Sequence, residues 1–358
     1  MTHNSKQEYK LYIELFCDKI KLPYLVFALI IANCVWILIL ILFPSEREAV
    51  LTWQKEDINI LWSVTVFLML IMIRRLRDIS IEKFLDPDMP YPQRIKDNMR
   101  KYLYAIFSPY TFKEIKAPQW FKQHSFLFNH LYFALIIALI TGVIGFILNY
   151  LDPDFGLVHD LIGSGVGSAI PWFFFVILGY VIIGIIGVLR NLSNDLKNSN
   201  EHPSFASIVK IEELKIFPLN ILYAYSSVMI SFPAVVTFLI TTEGPWVYCN
   251  LFILIAGLSG FLIALIIPSY FVHIAVKSVK GDFLNQIIRS IKDLENKISN
   301  KSVTERDLKK YDAYAVLVNM IERVEKVKTW PFDFESVTKI VIMGIVGSIP
   351  ALLQYFLK

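Results

Sequence analysis

The sequence predicts an all-α, polytopic integral membrane protein, built from three in–out–in transmembrane hairpins and a seventh, C-terminal span. Three observations predict it. Hydrophobic residues make up 55% of the chain, against about 45–50% in soluble domains. The apolar residues gather into long runs, and a helix needs about 20 of them to cross a bilayer. All 35 Lys and Arg and all 31 Asp and Glu fall outside those runs.

The first 21 residues are polar and carry Lys6, Lys10, Lys19 and Lys21; with the apolar run behind them they read as an uncleaved signal anchor. The first hairpin, 22–73, holds the runs Leu22–Phe43 and Ile58–Ile73. Residues 74–126 are basic and aromatic. After Pro92, Ile95, Met99, Leu103 and Ile106 recur at helical spacing, with Arg94, Lys96, Arg100 and Lys101 elsewhere on the wheel. That pattern predicts an amphipathic helix at the membrane surface, its cations facing anionic lipid of the inner leaflet; a small cap packed on the protein is the equal alternative. The second hairpin, 127–189, holds Leu127–Leu151 and Ser168–Leu189. A loop at 190–216 leads to the third hairpin, 217–276, with Phe217–Ile240 and Val247–Val276.

In 277–335, Leu284, Ile287, Ile291, Leu294 and Ile298 follow a 3-4-3-4 seam. Thr304-x-x-Asp307 resembles a helix start, and Leu308, Tyr311, Ala315, Val318 and Ile321 stripe the helix that follows. A helical hairpin is expected, its seam closed within the chain or between copies in an oligomer. The tail, 336–358, contains the marginal run Ile340–Leu357, interrupted by Gly344, Gly347 and Pro350.

Lys and Arg counts orient the spans. The N-terminus, the 74–126 and 190–216 loops and the segment after span six carry 4, 11, 4 and 13 of them, whereas the opposite loops carry only Arg47 and Lys55 among eight acids. The N-terminus is therefore expected in the cytoplasm, in a multi-pass protein of the cell membrane.

Several function classes are disfavoured. A net charge of +4 is too small to suggest a nucleic-acid partner. Cys17, Cys34 and Cys249 have no metal spacing, the six histidines are scattered, and no nucleotide-loop, metalloprotease, serine-hydrolase or paired-carboxylate motif is present. No enzyme, cofactor or metal is expected. The uncharged spans also argue against a proton-coupled carrier.

Two stretches bear on function. Gly163, Gly165 and Gly167 stand just before span four, on the outer side. Their spacing is wrong for a dinucleotide loop, and no filter-like sequence surrounds them. They are expected to shape an outer entrance, as a turn or as the start of span four packed closely on a neighbour. Tyr223, Tyr225, Ser226, Ser227 and Ser231 form the densest polar cluster on any span and are the candidate path.

The stretch Thr329-Trp330-Pro331-Phe332-Asp333, ahead of a terminal apolar run, resembles the tail of uncharacterised prokaryotic polytopic membrane proteins. That resemblance covers only the C-terminal end and implies no activity. An oligomeric ion channel or pore is the leading expectation, its permeant ion unspecified. A secondary transporter, cued by Pro233 and Pro268, and a membrane scaffold acting through its cytoplasmic helices are the alternatives.

Overall fold

The computed structural model describes residues 12–34, 37–38, 41, 57–86, 93–107, 130–150, 158–197, 205–229, 246–298 and 305–331. Every regular element among them is helical. Helix α1 spans Tyr12–Lys19, α2 Tyr24–Ala32, α3 Asp57–Phe84, α4 Gln93–Phe107, α5 His130–Tyr150 and α6 Val158–Lys197. Helix α7 (Phe205–Glu212) passes through one 3-10 turn, Glu213–Lys215, into α8 (Ile216–Met229). Helices α9 (Trp246–Ile298) and α10 (Glu305–Glu325) follow.

Helix α6 is the hub and packs against α3, α4, α5, α8 and α9. Its buried stripe, Phe174, Leu178, Val181, Ile185, Val188 and Leu192, repeats at the three- and four-residue spacing that keeps one helix face inward. Met69, Ile73 and Leu76 of α3 and Phe217, Ile221 and Ala224 of α8 are buried in the same core. Phe84 and Phe217 stack there with ring centroids 4.4 Å apart.

Proline does not interrupt the two longest helices. Pro171 lies inside α6 and Pro268 inside α9. A proline frees the carbonyl four residues earlier, and packed neighbours can hold such a helix in line. The broken sixth span that a transporter would use is not formed at Pro268. Nor does the chain break at 276, where the apolar run ends: α9 runs on to Ile298, 53 residues and about 80 Å in all.

The α1–α2 corner is a Schellman motif. Lys21 N–H donates to the Asp18 carbonyl and Leu22 N–H to that of Cys17, at 3.2 and 3.0 Å. The geometry requires a left-handed residue, and Lys21 supplies it at φ 56°. Pro23 then caps α2 with its φ already fixed.

Two segments among the described residues, Gly165–Lys197 in α6 and Ile263–Asn296 in α9, are long and apolar enough to cross a membrane; Phe133–Ile147 in α5 is apolar but shorter. The sequence alone predicts six or seven spans. Part of its first, third and fifth runs, and all of Ile340–Leu357, lie outside the described residues. Large apolar side chains are exposed on α2 (Leu25, Leu29), α5 (Leu139, Ile140, Val143), α6 (Ile183) and α9 (Ile263, Ile266).

Candidate functional site

The five candidate path residues do not share a face. A helix turns about 100° per residue, so Tyr223 and Tyr225 point to nearly opposite sides of α8, whereas Ser226 follows Tyr223 at helical spacing. Tyr225 is buried, with its hydroxyl against Gly260 of α9, where even a methyl group would collide with it. Tyr223 is 47% exposed. Ser226 is half-buried and donates to the Leu222 carbonyl at 2.9 Å, a bond that satisfies a hydroxyl without a partner helix. Ser227 continues α8, and Ser231 lies outside the described residues. The cluster thus divides into an inward wedge, Tyr225, and an outward ring, Tyr223, with Ser226 half-buried.

Gly163, Gly165 and Gly167 lie within helix α6, not in a turn. Their carbonyls sit where helical hydrogen bonding takes them up, unlike those of an extended ion filter. Of the expected pair Gly163 and Gly167, Gly167 meets nothing within 4 Å. The close approach is made by Gly165. A Cβ on Gly142 of α5 would lie 3.1 Å from the Gly165 carbonyl oxygen, and one on Gly165 would lie 3.5 Å from that of Gly142. The two backbones therefore cross with no room for a branched side chain between them.

Helix α4 buries the apolar face that the sequence marks. Ile95, Met99, Leu103, Ile106 and Phe107 are all buried, against α3 and α6. Ile106 rests on Gly184 of α6, where an added Cβ would come within 2.8 Å of it. The apolar face is thus packed on the protein, the second of the two arrangements expected for it, and is not laid into lipid. Arg94, Arg100 and Lys101 are exposed and Lys96 half-exposed. Tyr102 has its pKa raised, first by burial and then by Asp195 of α6.

The heptad seam closes within the chain. Helices α9 and α10 pack together. Ile287 is buried, and Leu284 and Ile291 join the same cluster as Leu317, Met320, Ile321 and Val324 of α10. Leu294 is half-buried, and the surroundings of Ile298 lie outside the described residues. The expected α10 stripe is partly rotated: Ile321 packs against the core as expected, but Ala315 and Val318 are exposed, and Leu317 and Val324 take their place. The far end of the hairpin is latched. Lys280 Nζ donates to the carbonyls of Glu325 and Val327 at 2.9 and 3.1 Å, and the rings of His273 and Trp330 stack at 4.4 Å.

Polar contacts that residue spacing does not reveal gather where the apolar runs end. Arg77 of α3 forms an ion pair with Glu14 of α1, and Asp78 accepts from the same guanidinium at 2.6 Å. Arg74 lies 3.6 Å from Glu14 and over the Tyr24 ring, 5.1 Å from its centroid. Arg75 Nε donates to Asn220 of α8 at 3.0 Å. Lys83 donates to Glu213 at 3.0 Å, which raises its pKa, and Lys210 pairs with Asp86 at 3.2 Å. The cluster Arg74-Arg75-x-Arg77 is visible in the sequence, but apart from the neighbouring Asp78 its partners are 50 to 145 positions away. Cys17 is buried beside this node, and burial raises its thiol pKa.

Among the described residues, no group of three His, Cys, Asp or Glu is placed to hold a metal ion. Comparison with known protein families, curated proteins and solved structures returns no match. Among the described residues the molecule is all-helical, and two of its helices are long and apolar enough to cross a membrane.

Proposed function

We propose that the chain is a polytopic membrane protein, with its N-terminus in the cytoplasm, that assembles into an oligomeric ion channel or pore. The exposed Tyr223 of α8 carries this reading. Tyr223 turns its hydroxyl-bearing ring out of the single copy, while Tyr225 fills the inside. A tyrosine hydroxyl facing hydrocarbon is unfavourable, and facing a second copy it would line a route between subunits. The uncharged runs, the exposed apolar residues on α2, α5, α6 and α9, and the cation-rich inner loops support insertion. The α9–α10 hairpin, continuous with the sixth apolar run, is the gating element in this reading.

The test is reconstitution of the full chain at a defined oligomer mass, followed by ion flux across proteoliposomes over a range of voltage and tension. Tyr223→Leu should lower flux without changing Tm. A folded oligomer that passes no ion under any of these conditions would sink the channel reading. A scaffold is then favoured, because the latched hairpin around Lys280 is a ready surface outside the membrane.

A further inference from the structure

Three packed helices change from apolar to cationic in a single step: Ile73 to Arg74 on α3, Leu189 to Arg190 on α6, and Val276 to Lys277 on α9. Arg74, Arg190 and Lys277 are all exposed. In the membrane reading, on which this inference rests, these steps mark the plane where hydrocarbon gives way to lipid headgroups.

Two contacts fix the height of α4 against that plane. Ile106 seats on Gly184, five residues before Leu189 and so about 7.5 Å inside the apolar run. Tyr102, one turn earlier on α4, is within electrostatic reach of Asp195, beyond the end of that run. Helix α4 therefore runs antiparallel along α6, its C-terminal end towards the hydrocarbon. Arg100 and Lys101 precede Ile106 by six and five residues, about 8–9 Å along the axis, which brings them level with Arg190.

Their chemistry suits that height. The apolar side of α4 is spent on α3 and α6, so only the charged side is free. Among the described residues Lys101 and Arg190 have no carboxylate partner, and Arg100 meets only Asp97, at 4.0 Å and with both side chains exposed. We propose that α4 is a headgroup platform for anionic phospholipid of the inner leaflet, with Arg100 and Lys101 as its phosphate-contacting residues. The amphipathic helix is thus inverted relative to a surface-lying one: apolar side to protein, basic side to headgroups.

The experiment reconstitutes the full chain in nanodiscs of phosphatidylcholine containing a minority of phosphatidylglycerol. The lipids that remain bound are then counted by native mass spectrometry. Wild type should retain phosphatidylglycerol in excess of its bulk share. Each cation near the surface contributes about 1 kcal/mol, a factor of about five, so Arg100→Gln with Lys101→Gln should cut the preference by more than tenfold. Asp97→Asn should raise or keep it, which controls for damage to the helix. Millimolar inorganic phosphate should leave the preference intact. Equal preference in the double variant and wild type overturns the platform, as does loss of preference in free phosphate. A chain that stays outside the bilayer overturns the membrane reading as well, and is recognised by its failure to enter the discs.

Discussion

Glu14 and Arg77 form an ion pair between α1 and α3 with side chains only 8% and 9% exposed. Removing one partner of a buried pair leaves the other charge uncompensated, at a cost of about 3–5 kcal/mol. Arg77→Met should therefore lower the unfolding free energy in detergent by about 3 kcal/mol, with Arg74 softening the loss for Glu14. Glu14→Leu combined with Arg77→Met should cost less than the two single changes added together. Strict additivity in this double-mutant cycle would show that the pair is not coupled.

The α5–α6 crossing gives a contrast between glycines. Gly142→Leu should push the helices apart and cost about 1–3 kcal/mol. Gly167→Ala faces open space and should be neutral or slightly stabilising, because alanine is the better helix former. Thermal unfolding of both variants in one detergent decides it; equal Tm values would contradict the crossing.

At the seam, Ile287→Asp buries an unpaired charge between α9 and α10. It should loosen the hairpin, seen as faster amide exchange at Leu317, Ile321 and Val324, and leave the oligomer mass unchanged. A drop to smaller species would mean that the seam also serves an interface between copies.

Lys21 occupies a left-handed conformation that costs a non-glycine residue about 1–2 kcal/mol. Lys21→Gly should recover about 1 kcal/mol in chemical unfolding and leave the fold unchanged. Destabilisation instead would show that the lysine side chain holds a contact worth more than the strain.

Cys17 should resist alkylation in the folded protein, because burial blocks access and raises the thiol pKa. Its labelling should rise only at alkaline pH, where thiolate forms, or on unfolding. Rapid modification at neutral pH would show that α1 detaches readily from α3.

Sequence periodicity reads the helices well and their partners poorly. Ile95, Met99, Leu103 and Ile106 mark one face of α4, and that face is buried. Whether lipid or protein covers it depends on Gly184, far along the chain and unremarkable there except as a residue without a side chain. The Gly163–Gly167 stretch shows the same limit. Alternating glycines suggest a turn by local propensity, but a neighbour that itself offers glycine at position 142 makes the helix the better-packed choice. On α10 the apolar residues are dense enough to draw two stripes, and only contact with α9 selects Leu317 and Val324 over Ala315 and Val318. The ionic contacts of Glu14, and that of Glu213 with Lys83, arise from tertiary proximity, which no local spacing encodes.

Helix α9 is about 80 Å long, while the hydrocarbon layer it would cross is about 30 Å thick. From Lys277 to Ile298 it extends about 33 Å past the end of the apolar run, without a joint. A tilt of about 5° in the upper part would sweep the far tip by about 3 Å, more than half a helical turn. Because Lys280 ties the returning α10 to the base of this arm, the hairpin would move with the arm and not slide along it. In the proposed membrane placement, a small change in the thickness or tension of the bilayer would thus reach the aqueous side as a displacement of that size.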